Sequence, residues 1–300
     1  MKEHPTQKHI LLVAACLGLS AGAAAADCVQ ITEGLVVESP VWSPDGTTLA
    51  FHSGIDIYTV PATGGPVTHV IENAQWPTWS PDGTRLAFAR AFPPGVWDIW
   101  VLELSTGALQ QITTSPRYDT HPDWSHDGDK IVYKASRIDH DALYVYSFST
   151  GLHTRLTSYT GESPDWAPND ERIVFERHSF PEGPDIMLVD YPSGDEQRIF
   201  WSGSGYYWPR WHPSGESLIL IGLDDIALNP CVVSYPLPSG PRLDLRCRSP
   251  WVGLSYPEWA PDGSRYSVVE AGDLTICDQA TAVQSETWGT VKSRYRSDRE

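Results

Sequence analysis

PVWSPDGTTLAF, residues 40–51, is followed by PTWSPDGTRLAF at 77–88 and PDWSHDGDKIVY at 122–133. The phrase returns as PDWAPNDERIVF (164–175), PRWHPSGESLIL (209–220) and PEWAPDGSRYSV (257–268). Its tryptophans, Trp42, Trp79, Trp124, Trp166, Trp211 and Trp259, are spaced by 37, 45, 42, 45 and 48 residues, a period that suits a four-stranded propeller blade. A second phrase follows each copy: DIYTVPATGG (56–65), DIWVLELSTG (98–107), ALYVYSFSTG (142–151), DIMLVDYPSG (185–194), CVVSYPLPSG (231–240) and a degraded DLTICDQATA (273–282). Each reads as a strand closing on a turn, after which comes a strand such as LQQIT or HTRLT. One unit is four short antiparallel strands, and six units predict an all-β, six-bladed β-propeller.

In Ser-Pro-Asp-Gly, Pro fixes φ, Asp bonds back to the backbone and Gly takes the positive φ that other residues resist. Asp45, Asp82 and Asp262 are therefore turn residues and not catalytic acids. The fourth copy has Asp170 in place of Gly and the fifth Ser214 in place of Asp, so those corners are locally less favourable. The repeat tryptophans are core residues between blades, where large flat side chains bury the most area.

The segment CVQITEGLVVESPVWS (28–43) has the form of a fourth strand followed by a first strand, as in ALQQITTSPRYDTHPDWS (108–125). The unit at Trp259 supplies only three strands, so strand 28–32 completes the sixth blade and leaves no free edge. Cysteine placement agrees. Apart from Cys16 in the leader, four remain, which allows three pairings. Cys231 and Cys247 are symmetric about Ser239 in a Pro-Ser-Gly-Pro turn, and Cys28 falls within one residue of Cys277 across the closure. The expected disulfides are Cys231–Cys247 and Cys28–Cys277, the second stabilising the ring by about 2–4 kcal/mol. No C-x-x-C spacing supports zinc.

The 300 residues carry 38 acidic and 21 basic side chains, a formal charge of -17. That balance opposes sequence-independent nucleic-acid binding, which needs a basic footprint, and anionic membrane surfaces. Aromatic residues at 11% and charged residues at 20% argue against disorder. Lys2, Lys8, an apolar stretch from Ile10 and Ala24-Ala25-Ala26 mark residues 1–26 as a secretory signal peptide, with a lipoprotein box ending at Cys16 as the competing reading. Gly18-Leu19-Ser20-Ala21-Gly22 matches the nucleophile-elbow pattern by chance, within that leader. No later apolar run is long enough to span a bilayer. The propeller is assigned to 27–288, and 289–300, ending VKSRYRSDRE, to a flexible tail. A periplasmic or secreted monomer is expected.

The repeated P-x-W-S-P-D-G-x-x-L-A-F phrase, covering about residues 28 to 282, resembles the WD40-like Pro-Asp repeat of the TolB family, which also occurs in prolyl-oligopeptidase and tricorn-type protease propellers. TolB carries an α/β domain ahead of its propeller, and no room for it lies between the cleavage site and strand 28–32; contacts made through that domain do not carry over. The resemblance implies a polar channel that accommodates a partner peptide and calcium.

The residue between Pro and Trp is Val41, Thr78, Asp123, Asp165, Arg210 or Glu258, six equivalent positions around the axis. Asp123, Asp165 and Glu258 are oxygen donors of the kind calcium takes, or a meeting point for a basic partner segment. The plainer alternative is a solvated channel wall with Arg210 balancing a neighbour. Fourth-to-first and second-to-third loops gather at one rim and carry Trp76, Phe92-Pro93-Pro94, Arg117-Tyr118, Arg137, Phe180, Tyr206-Tyr207-Trp208 and Trp251. Trp, Tyr and Arg are favoured interface anchors, and aromatic rings stack on sugars. The mature chain has no H-E-x-x-H, P-loop or nucleophile elbow. Of its histidines His121 is best placed near the axis, and a lone His is more often a loop hydrogen-bonder than a ligand. The expected function is a non-catalytic scaffold for a cell-envelope protein or peptide, binding through Trp76, Tyr118, Arg137, Tyr206, Tyr207, Trp208 and Arg210. The alternative is a carbohydrate-binding or carbohydrate-cleaving propeller with a channel metal.

Overall fold

The computed structural model describes residues 28–91, 95–138, 141–179, 183–200, 206–223, 229–237, 242–248 and 253–279. The leader with Cys16, the C-terminal tail, Phe92-Pro93-Pro94, Phe180 and Trp251 lie outside the described residues. Twenty-four strands form six sheets of four, each antiparallel and in simple up-and-down order, and no helix occurs among the described residues. Blade 1 runs Glu38–Trp42, Thr48–Ser53, Asp56–Pro61 and Thr68–Ile71 from the axis outward, and blades 2 to 5 repeat it.

Blade 6 is made from both ends of the propeller. Leu254–Trp259, Arg265–Glu270 and Asp273–Asp278 supply three strands, and Cys28–Gln30 adds the fourth in a register that sets Cys28 opposite Cys277. Both disulfides form as expected, Cys28–Cys277 across this closure and Cys231–Cys247 across the outer hairpin of blade 5. The closing strand is shorter than 28–32, although Ile31 still donates its N–H to the Leu274 carbonyl.

The repeat phrase turns as its residues dictate. Asp45 Oδ1 accepts from the Ser43 hydroxyl at 2.6 Å and the Thr47 N–H at 3.0 Å, and Gly46 takes φ +69°. The two degraded corners have found other bonds. Asp170 takes φ +57° in the glycine position, and its carboxylate accepts the His126 and Asp127 N–H groups of blade 3, both at 2.7 Å. In blade 5 Ser214 keeps the acceptor role through its hydroxyl, which receives the Glu216 N–H at 3.3 Å, and His212 Nδ1 receives the Ser214 N–H at 3.1 Å.

Packing follows one rule around the ring. Each repeat tryptophan joins the apolar cluster of the blade before it: Trp166 meets Val132 and Leu143, Trp211 meets Val174 and Ile186, and Trp42 meets Val269 and Leu274. Five of the six are buried, and Trp79 is half-buried with its Nε1–H donated to the Val41 carbonyl. Three seams add an arginine over the indole, Arg85 on Trp124, Arg172 on Trp211 and Arg265 on Trp42. Six seams built this way fix the innermost strands around the axis, where the site lies.

Candidate functional site

Three residues before each repeat tryptophan the innermost strand bulges, and the residue there has a left-handed backbone. The six are Ser39 (φ 46°), Trp76 (53°), His121 (52°), Ser163 (49°), Trp208 (52°) and Tyr256 (50°). Pairing with the second strand jumps at the same place in every blade, for example between Glu38 and Val41 and between Tyr207 and Arg210. Each bulged residue precedes a proline, which has no N–H to offer a ladder, so the break forfeits no donor there. A left-handed non-glycine residue costs about 1–2 kcal/mol. Strain of this kind survives only where surrounding structure imposes it, and it concentrates at functional sites.

The bulges re-aim all six side chains into one cavity. It measures about 440 Å³ and is completed by Glu162, Glu176, His178 and Tyr207. Trp76 lies against His121 with ring centroids 4.4 Å apart, and Trp208 against Tyr256 at 4.8 Å. Glu176 accepts the Trp208 N–H at 2.6 Å, and its other oxygen is 3.4 Å from His178 Nε2. Glu162 pairs with Lys134 and lies 3.7 Å from the same histidine. Beside the cavity Glu38 is 3.2 Å from His52 Nε2, while His52 Nδ1 receives the Trp76 N–H at 3.4 Å.

Electrostatics separate these groups. Burial pushes His52 down to about 4 and His121 to about 3, so both are neutral at pH 7. The Glu176 hydrogen bond raises His178 above its ordinary value against the opposing effect of burial. Burial disfavours ionised Glu162, but the Lys134 hydrogen bond and charge, with His121 and His178 beside them, together outweigh it and hold the carboxyl below its ordinary value. The wall is thus aromatic and anionic.

Two residues further along each innermost strand sits the ring expected from sequence. Asp123 Oδ2 accepts the backbone N–H of Trp166 at 2.8 Å, and Thr78 donates its hydroxyl to Oδ1 at 3.1 Å. Arg210 gives Nε to Glu258 at 2.9 Å, lies 4.0 Å from Asp165, and donates Nη1 to the Ser163 carbonyl at 3.3 Å. It therefore ties this ring to the bulged ring. Burial raises Asp123, raises Asp165 well above the carboxylate range with Asp123 adding to it, and pushes Glu258 up to about 7. A calcium ion held by Asp123, Asp165 and Glu258 would have to displace the Arg210 guanidinium, and their oxygens do not all lie within 4.8 Å of one another. These residues and the repeat tryptophans line a second cavity of about 420 Å³.

The other sequence-predicted residues divide. Trp76, Tyr207 and Trp208 line the axial cavity. Tyr118 is 52% exposed on the rim, and Ile55, Ile138 and Tyr159 are exposed on other loops of the same rim. Arg137 is drawn inward, donating to Asp119 at 2.7 Å and lying over the Tyr144 ring. Tyr206 packs on Phe200 and reaches Arg242, away from the cavity. Ser39, Ser163, Tyr256, Glu162, Glu176 and His178 were not among the expected site residues. The available signal for the first three was their place in the repeat, since each directly precedes the proline of the repeated phrase, as Trp76 and Trp208 do.

Two other features carry no such chemistry. A cavity of about 810 Å³ lies between blades 3 and 4, where Arg177 pairs with Glu196 and Arg198 lies 3.6 Å from Asp185. Among the described residues the one group with metal-ligand spacing is Cys231, Asp244 and Cys247, whose thiols are consumed in a disulfide.

Residues 39–180 and 77–232 match the TolB beta propeller domain. An uncharacterized protein of Agrobacterium fabrum is 26% identical over 247 residues, covering 77% of this chain and 84% of its own. A protein provisionally named TolB from Agrobacterium tumefaciens superposes with a TM-score of 0.65 at 22% identity, over 88% of this chain and all of that one. A manganese-bound oligogalacturonate lyase superposes with a TM-score of 0.60 at 12% identity, over 84% of this chain and 80% of that one. At these identities the two structures show a shared fold.

Proposed function

The chain belongs to the TolB beta propeller domain family, and from that premise we propose that it is an exported, non-catalytic scaffold which binds a protein or peptide partner through the axial cavity and its rim. The observation that carries this reading is the ring of six left-handed residues, whose strained backbone turns every side chain of the ring into one cavity. Strain held at the mouth of a rigid ring is a feature of binding sites, although Trp76, Trp208 and Tyr256 also pack against the apolar clusters between blades. On loops of the same rim, Ile55, Tyr118, Ile138 and Tyr159 are each more than half exposed and available as contacts for a partner. Two disulfides, one spanning 249 residues, fit an oxidising compartment and agree with the secretory leader.

The test is affinity capture from a cell-envelope extract by the mature protein, with and without chelator, beside a Trp208→Ala variant. One partner recovered in near-equal amount by the parent and lost by the variant supports the scaffold. Retention of a polysaccharide on a glycan array, with no protein captured, replaces it by the carbohydrate reading.

A further inference from the structure

We infer that the axial cavity receives a basic side chain, an arginine or lysine presented by the partner segment. This rests on the peptide-binding reading above and names the chemistry it takes.

Charge around the axis does not balance. Glu38, Glu162 and Glu176 border the upper cavity, whereas burial pushes Asp123, Asp165 and Glu258 beneath it toward their protonated forms beside Arg210. Among the described residues the three upper carboxyls face one permanent cation, Lys134, which Glu162 holds, and His178. His52 is buried, His121 is half-buried, and neither contributes charge at neutral pH. Carboxylates gathered in a cleft focus a negative potential that an entering cation relieves. An anion or a neutral sugar relieves nothing.

Wall chemistry points the same way. Trp76, Trp208 and Tyr256 line a space bordered by Glu162 and Glu176. Aromatic faces attract a guanidinium or ammonium within about 6 Å of the ring centroid, most strongly where water is excluded. Carboxylates beside those faces supply charge-assisted acceptors for the donors of the same group. A guanidinium also sits over indole, as Arg85, Arg172 and Arg265 do at 4.6, 5.6 and 5.3 Å from the ring centroids of the repeat tryptophans of three seams. The cavity offers an incoming side chain the same environment from two indoles, with acids in reach.

Panning a phage-displayed random heptapeptide library against the whole mature protein tests this. The expected result is enrichment of Arg or Lys at one position, binding that weakens as salt rises, and at least a tenfold loss in both Glu176→Gln and Trp208→Phe. Leu152→Ala, on the opposite rim, should bind like the parent. Replacement of the enriched arginine by citrulline, which keeps the shape and removes the charge, should cost a similar factor. Trp208-dependent binders without a basic residue would overturn the inference and leave the peptide reading standing. No Trp208-dependent binder at all would remove both. Should Glu176→Gln melt before binding is measured, Glu38→Gln, on a side chain 40% exposed, reads the same charge term.

Discussion

Asp165 Oδ2 accepts the backbone N–H of Trp211 at 2.6 Å, across the seam between blades 4 and 5. Asp123 makes the same bond to Trp166 one blade earlier, so two channel carboxylates act as inter-blade staples. Asp165→Ala leaves that buried N–H without an acceptor and is expected to cost about 1–3 kcal/mol in urea unfolding. Asp165→Asn keeps an acceptor oxygen in place of a carboxyl that burial already favours in its neutral form, so its loss should stay under about 1 kcal/mol. Equal losses in the two variants would show that the bond to Trp211 is not what the position supplies.

Two buried groups should pull the pH dependence of stability in opposite directions. Glu258 has a folded pKa raised to about 7 from an ordinary 4.5, so between those values the folded state holds the proton and stability falls as pH rises. His52 has a folded pKa lowered to about 4 from 6.5, so the unfolded state binds the proton first and stability falls as pH drops through that window. Melting temperatures from pH 4.5 to 7.5 should therefore show Glu258→Gln removing a downward slope and His52→Gln removing an upward one. Identical slopes in parent and both variants would contradict the assignment.

Calcium is expected to act where Arg210 has been removed. In Arg210→Met, calcium should raise the melting temperature, and adding Asp123→Asn and Asp165→Asn should abolish the rise. A rise of the same size in the parent would mean that the ion displaces the guanidinium from Glu258 and Asp165.

Gly222 lies against Tyr206, and a Cβ there would stand 2.5 Å from that ring. Gly222→Ala should cost about 1–3 kcal/mol through displacement of Tyr206, while partner binding is retained. Loss of binding at unchanged stability would return Tyr206 to the site.

The backbone strain at Ser39 is also measurable. Glycine adopts its φ of 46° without penalty, so Ser39→Gly should gain up to about 1 kcal/mol. Ser39→Val should be destabilising, because a β-branched residue resists that conformation more than serine does.

The repeat phrase made the blades, their corners, the closure and both disulfides legible, because each depends on local turn chemistry or on a constant offset within the repeat. Trp76, Tyr207 and Trp208 were legible as aromatic residues on predicted loops. The site itself was only half legible. Which way His121 or Tyr256 points is set by a bulge torsion that alternation does not encode, and Glu176 and His178 arrive from a second strand. Asp123 and Asp165 were correctly placed around the axis, yet their bonds to Trp166 and Trp211 depend on how adjacent blades tilt, which no single repeat contains. Tyr206 carries the same rim signal as its two neighbours and packs on Phe200 because it sits one residue before the strand Tyr207–Trp211 begins.

The Cys28–Cys277 bond turns the propeller into a covalent macrocycle. A protease that nicks any loop between those residues linearises the cycle without releasing a fragment, so nicked protein keeps its full mass until a reductant is added. In a compartment rich in proteases, damage to a rim loop would leave all six blades tethered and able to re-form the ring. The same property makes any loop between Cys28 and Cys277 a place where new chain ends could be opened by circular permutation.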